Sequence, residues 1–472
     1  MPKEVAHPQQ MNPSQADIAP LKRTVLLVAI LSSLLTPFMS SAVNIALPSI
    51  GREFEMGTVL LGWTAVSYLL ASAVFLVPLG RFGDIHGRKR LLTAGVSVYT
   101  LFSLLCGLSS SPIALLLFRV CQGIGAAMIF GTSLAILTSV FPASERGKAL
   151  GYNVAAVYVG LSLGPFLGGL LTEHLGWRSI FLVNVPFGLL IIALLLRLEG
   201  EWAEAKGERF DAAGSLLFAS SLLAIMFGFS RLPETLGAAL VASGLIGMGA
   251  FVWWEKGVQY PVLQVALLLE NKAFAFSNLA ALINYSATAG VGFLLSLYLQ
   301  YIKGLGPQEA GLVLLAQPLV QASLSPIAGR LSDRIEPRII ASSGMALTTV
   351  GLALLTSINQ ATSLAFIALC LMFLGLAFAL FSSPNTNVVM GSVDRKYYGI
   401  ASATLGTMRI VGQTISIAFA GLTLALYLGQ AKVTPETQPL FLQSAKVALS
   451  VFASLCFGGI FASLARGKTH TN

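Results

Sequence analysis

The sequence predicts an all-α membrane protein of fourteen transmembrane helices, built as two six-helix halves with two inserted helices between them. Three observations carry this. The chain is 55% hydrophobic and only 10% charged, with a mean hydropathy of +0.79; soluble domains carry about twice that charged fraction. Apolar runs of roughly 20 residues, long enough to cross a bilayer core as helices, alternate with short polar loops. A weak internal repeat aligns Gly80-Arg81-Phe82-Gly83-Asp84 with Gly329-Arg330-Leu331-Ser332-Asp333, and the same displacement carries Glu145-Arg146 onto Asp394-Arg395.

Residues 1–20 are polar, rich in Pro and Gln, and lack an apolar core, so they are expected to be a disordered cytoplasmic tail rather than a signal peptide. The N-terminal half, 21–198, holds spans near 24–48, 59–79, 91–109, 112–138, 149–171 and 179–197. A linker and the two inserted spans, near 212–230 and 235–254, occupy 199–256. The second half, 257–466, opens with Pro261–Phe274, where Val262, Val265, Leu268 and Leu269 lie near one helical face and predict an amphipathic interfacial helix. Its spans lie near 273–300, 308–330, 339–357, 362–390, 399–429 and 443–465, before a short cytoplasmic tail at 467–472.

Most of the 29 Lys and Arg fall in loops on the side of the N-terminus. The positive-inside rule then puts both termini in the cytoplasm and the chain in the cell membrane. Basic loops facing anionic lipid explain the net charge of +9, and no nucleic-acid partner is implied. Cys106, Cys121, Cys370 and Cys456 sit in or near apolar runs without CxxC spacing, which predicts buried free thiols. His7, His86, His174 and His470 are scattered, so neither a metal nor a cofactor is expected. No GxxxxGK[ST], HExxH or GxSxG pattern occurs, which argues against ATP-driven transport by this chain alone and against an embedded enzyme. A channel would need a carbonyl filter or rings of charge, and neither is evident.

Only Arg119 and Arg409 look committed to the middle of a span, and none of the 20 acidic residues does. An ionisable side chain in lipid costs several kcal/mol, on the order of 3 or more, unless it faces a protected or wet interior. Each arginine is therefore a functional candidate, and for Arg119 a role in coupling or gating is favoured over that of a structural group bonded to backbone carbonyls. Gln122 is an available uncharged partner, and Gly123 and Ala127 permit close helix packing. In the loop Gly80–Arg90, Gly80 and Gly83 allow close approach and Gly87 a tight turn. Asp84 can accept hydrogen bonds from a helix N-terminus or an arginine, while Arg88, Lys89 and Arg90 are read as facing headgroups. Gly160, Gly164 and Gly168 form one stripe beside the helix-bending Pro165, suited to a helix that rocks and equally to a plain packing face.

These segments resemble the major facilitator superfamily and, more closely, its fourteen-span drug/proton antiporters, from about residue 24 to 465. The loop Gly80–Arg90 matches the signature between spans 2 and 3, and Phe118–Ala127 resembles the arginine motif of span 4. Gly160–Gly169 matches the proline-glycine motif of antiporters, and Asn44-Ile45-Ala46-Leu47-Pro48 the end of span 1. The resemblance implies the major facilitator fold, alternating access and proton coupling, with Asp84, Arg88, Arg119, Gly164 and Pro165 as coupling or gating residues. The chain departs from the pattern at Met39, where these antiporters usually carry an aspartate, and no other span supplies a replacement. Substrate-binding candidates are Met39, Asn44, Gln122, Asn284, Tyr285, Gln317, Asn385, Arg409 and Gln413.

Two interior arginines without matching acids predict a positive cavity that favours anionic or zwitterionic amphiphiles over lipophilic cations. The expected activity is secondary active export of small amphipathic compounds, with proton coupling implied by the resemblance. A lipid or lysolipid transporter or a uniporter is the alternative, and a transporter-like receptor or scaffold is the alternative of a different class. The expected partners are the small substrate, protons and membrane lipids, and the expected state is a monomer.

Overall fold

The structure, a computed structural model, describes residues 15–232, 234–332, 334–393, 398–429, 431 and 433–467. Fourteen helices among them are long and apolar enough to cross a membrane. Each predicted span has its counterpart, with ends displaced by a few residues. The first half comprises α1 (Gln15–Glu53), α2 (Thr58–His86), α3 (Arg88–Gly107), α4 (Pro112–Val140), α5 (Ala143–Leu175), α6 (Ser179–Leu182) and α7 (Asn184–Leu196). The inserted pair is α8 (Ala212–Arg231) and α9 (Thr235–Glu255). The second half comprises α10 (Val265–Glu270), α11 (Lys272–Leu297, continued by a π turn at Tyr298–Ile302), α12 (Pro307–Ser332), α13 (Pro337–Leu355), α14 (Leu364–Gly391), α15 (Tyr398–Leu428) and α16 (Gln438–Ala465).

Local chemistry sets the helix starts. Ser111, Asp211, Asn271 and Ser363 each accept a hydrogen bond from a backbone N–H in the first turn of the helix that follows, which satisfies donors that a helix start leaves open. Three expectations change. Helix α1 begins at Gln15, so part of the expected tail is helical, while residues 1–14 and 468–472 lie outside the described residues. The sixth span is broken at Val183 into α6 and α7, where Asn184 turns its amide back to the Ile180 carbonyl at 2.7 Å. The expected interfacial helix shrinks to the six residues of α10, because Asn271 caps α11 directly after it.

The repeat is visible in how helices pair. The pairs α1/α5, α3/α4, α2/α4 and α3/α7 of the first half recur as α11/α15, α13/α14, α12/α14 and α13/α16 of the second. Asp333, Asp394 and Arg395, which suggested the repeat, lie outside the described residues, as does the side chain of Arg146. The inserted α8 and α9 pack on each other, and α8 rests on α2 and α15 where the halves meet.

On the face away from the termini the halves are sealed. Ser296 Oγ and Gln300 Nε2 of the second half donate to the carbonyls of Asn44 (2.6 Å) and Ile45 (2.9 Å) on α1. Thr58 Oγ1 donates to the Gly429 carbonyl at 3.0 Å, and Gln308 N donates to Glu173 Oε2 at 2.8 Å. Close approach here requires glycine: a Cβ on Gly311 would strike the Pro165 carbonyl, and one on Gly169 the Pro307 carbonyl.

Candidate functional site

Between the halves lies a cavity of about 1230 Å³. Its deep end is lined by Asn44, Tyr68 and Gly292, and its mouth by Arg81, Asp84, Arg88, Glu204, Glu208 and residues 259–264, on the face that carries the termini. The protein is thus open toward that face and closed on the other. Helical spacing explains the walls. Helix α1 presents Ser33, Thr36, Pro37, Ser40, Ser41 and Asn44, and α15 presents Leu405, Arg409, Gln413 and Ile417 along one i, i+4 ridge.

Arg409 is the deep cation of this cavity. Its guanidinium carbon stands 5.2 Å from the centroid of the Tyr285 ring, within cation–π range. Tyr285 in turn packs edge-on against Phe378 at 5.4 Å. Arg409 Nε is buried without a hydrogen-bond partner, as are Gln321 Nε2 and Asn44 Oδ1 of the same cavity wall. A buried polar atom left unpaired costs about 1–3 kcal/mol, so the wall is poised to gain from a ligand that pairs with it. Gln317 and Gln413 also line the cavity.

Several expected site residues lie elsewhere. Arg119 is 1% exposed inside the first half and does not line the cavity. Its Nε donates to the Thr64 carbonyl at 3.2 Å and its Nη1 to Gln122 Oε1 at 2.7 Å, while Gln122 Nε2 donates to Ser103 Oγ at 2.7 Å. The Tyr68 ring lies 4.4 Å from its guanidinium carbon. Gln122 is thus paired on both sides of its amide, with Arg119 and Ser103, and does not line the cavity. Met39 is fully buried on the face of α1 turned away from the cavity, one residue from the lining Ser40. Asn385 holds a third buried arginine, Arg466, which donates to its Oδ1 at 2.9 Å, and its own amide donates to the Ser277 carbonyl at 3.1 Å. Burial pulls the Arg466 pKa down to about 10, which leaves it cationic at neutral pH. Asn284 is buried with both amide atoms unpaired, yet only its neighbour Tyr285 reaches the cavity. Gly164 packs α5 against Ser41 and Ala42 of α1, and Pro165 lines the cavity.

The expected positive cavity therefore has one deep cation, not two, and a mouth of mixed charge. Arg88 does not face headgroups. It is buried, with Nε donating to Asp84 Oδ1 at 2.6 Å and Nη1 to Glu204 Oε1 at 2.7 Å and to Ser139 Oγ at 2.8 Å. Arg81 pairs with Glu208. Glu201 accepts from the backbone of Lys89 (2.7 Å) and Arg90 (3.2 Å) at the start of α3, and Ala205 N donates to the Asp84 carbonyl at 3.0 Å. The segment 201–208 thus straps the loop Gly80–Arg90. The sequence carried a usable signal for it: Glu199, Glu201, Glu204 and Glu208 form an acidic run on the same side as that basic loop.

Two pseudo-symmetric helical halves, sealed at one face and parted at the other around a central cavity, have the architecture of a membrane transporter. The Major Facilitator Superfamily profile matches residues 29–269 and 278–468, and the chain belongs to that superfamily. It is 29% identical to the riboflavin transporter RibZ of Clostridioides difficile, over 93% of this chain and 96% of the relative. It is 34% identical to the multidrug resistance protein Stp of Mycobacterium tuberculosis, over 82% of this chain and 73% of the relative. Among solved structures, a bacterial homologue of the human lysosomal transporter Spinster, inward-facing and unoccupied, superposes with a TM-score of 0.65 at 17% identity, covering 96% of this chain and 98% of that one. At that identity the likeness concerns the fold alone.

Proposed function

We propose that the protein exports a small amphipathic compound whose head group presents hydrogen-bond acceptors or negative charge to Arg409. The observation that carries this is the unpaired Arg409 Nε, held over the Tyr285 ring in the wall of the central cavity. A charge-assisted hydrogen bond to the head group would satisfy that donor, and the Tyr285–Phe378 pair would receive an aromatic or apolar body. The basic face is taken as cytoplasmic by the positive-inside rule, so the cavity loads from the cytoplasm of a cell-membrane protein with both termini inside. The halves then rock about the α5/α12 and α2/α15 contacts between them, the first smoothed by Gly169 and Gly311, and the Asp84–Arg88–Glu204 network at the mouth rearranges as it closes. Proton antiport is part of this reading. Among the described residues the deep wall carries no acid, which favours Asp84 or its neighbours at the mouth as the coupling groups. Names among the relatives, riboflavin transport and multidrug resistance, supply the probes.

The test is flux in proteoliposomes under separate pH and voltage gradients, with riboflavin, an anionic amphiphile and tetraphenylphosphonium as substrates. The expected result is flux of riboflavin or the anion that follows the pH gradient and exceeds that of the cation. Preferred flux of the cation overturns the head-group assignment, and indifference to the pH gradient removes antiport.

A further inference from the structure

Glu255 ends α9 close to the cavity mouth and is 4% exposed. Its Oε2 accepts a hydrogen bond from Leu263 N at 3.0 Å, but its Oε1 is buried and has no partner. Asp211, at the start of α8, is satisfied as a carboxylate: Oδ1 accepts from Gly214 N at 2.9 Å and Oδ2 from the Trp254 indole at 3.0 Å. The two carboxyl groups meet over Gly214, where an added Cβ would strike Asp211 Oδ2 and Glu255 Oε1 alike. Ionised carboxyl oxygens only accept, so two of them turned to one another lack a donor, and a single proton turns one into a donor. Asp211 already holds two donors, so the vacant position is Glu255 Oε1. A metal ion fits less well. The indole N–H points at one of the two oxygens, and no group of three or more His, Cys, Asp or Glu among the described residues is arranged to hold one.

We propose that Glu255 and Asp211 together bind one proton, carried on Glu255 Oε1 and donated to Asp211 Oδ2, and that this proton latches residues 256–264 to the inserted helix pair. The charged groups around Glu255 are Asp211 from the turn before α8 and Arg81 from α2, itself paired with Glu208; Lys256, next along the chain, is exposed. Loss of the proton sets the buried Glu255 charge beside the half-buried Asp211 carboxylate, and although an ionised carboxyl is the stronger acceptor for Leu263 N, the repulsion displaces Glu255 from its place over Gly214 and residues 256–264 with it. Gln259, Tyr260, Val262 and Gln264 line the cavity mouth, so the latch is coupled to access. This assignment does not depend on the substrate proposed above.

The experiment uses the full-length protein in detergent, moved from mildly acidic to mildly alkaline buffer. Infrared difference spectra should show loss of a carboxylic-acid C=O band in the wild type, and Glu255→Gln should lack that change. The protection of amides 256–264 against hydrogen exchange, taken relative to the intrinsic base-catalysed rate at each pH, should fall at least severalfold on alkalinisation in the wild type. It should stay high and pH-independent in Glu255→Gln, whose amide still donates to Asp211. Asp211→Asn, which removes one of the two charges, should flatten the exchange profile as well and serves if the first variant fails to fold. The same loss of the C=O band in Glu255→Gln as in the wild type, a wild-type protection profile in both variants, or a response to sodium instead of pH overturns the proposal.

Discussion

Arg119 and Arg409 are both lone arginines in apolar spans, and the fold treats them in opposite ways. Around Arg119 the first half supplies a carbonyl, an amide oxygen and an aromatic face, and the side chain is sealed from the cavity. Around Arg409 the second half supplies a ring on one side and leaves Nε without an acceptor at the cavity wall. A satisfied buried charge builds a rigid half, whereas an under-satisfied one at a cavity wall is a place for a ligand. The same contrast separates Met39, buried in the first half, from Ser40, its neighbour on the cavity side.

The sharpest break of the comparison is Met39→Asp against Ser40→Asp. The first buries an unpaired carboxyl in a packed interior and should cost about 3 kcal/mol or more, seen as loss of folded protein in fluorescence-detected size exclusion. The second puts the carboxyl in the cavity, and should leave folding near wild type while making binding of tetraphenylphosphonium detectable. Equal tolerance of both changes would mean that Met39 reaches the cavity after all.

Next in size is Arg119→Ala. It leaves a void, together with the Gln122 and Thr64 acceptors, and should lower stability by about 2–4 kcal/mol in thermal unfolding. Arg409→Ala should scarcely move the melting temperature. Its effect belongs to binding: removing a charge-assisted bond should weaken an anionic or acceptor-rich ligand about tenfold or more, from about 1.5–3 kcal/mol, and a neutral isostere much less. A large stability loss for Arg409→Ala, with ligand binding intact in the surviving fraction, would make the two arginines equivalent and sink the contrast.

Fourteen spans, the repeat and the inserted pair were legible because lipid forces them into the chain. A helix that crosses hydrocarbon must be apolar over its length, and a repeated packing scheme leaves repeated glycines and charges. The positions of Arg409, Gln317 and Gln413 could be anticipated on the same ground, since polar groups deep in a span need a reason to be there. What could not be read was orientation about each helix axis. One residue along a helix turns a side chain by roughly 100°, which decides whether Met39 or Ser40 meets the cavity. In spans that are apolar all round, no periodic signal marks that angle.

Contacts between segments distant in the chain were hidden for a related reason. Asp84 was identified as a residue of consequence, but its loop is held by the 201–208 strap, more than a hundred positions away. Gln122, Asn385 and Arg466 are polar residues whose partners are set by packing, so their roles as structural ties appear only once the helices are assembled. The sequence by itself determined that this chain spans a membrane fourteen times in two related halves and belongs with transporters, because burial in lipid constrains composition locally. The tertiary structure alone decided which polar groups are spent on one another and which remain free at the cavity, because hydrogen-bond satisfaction is settled between helices and not along them.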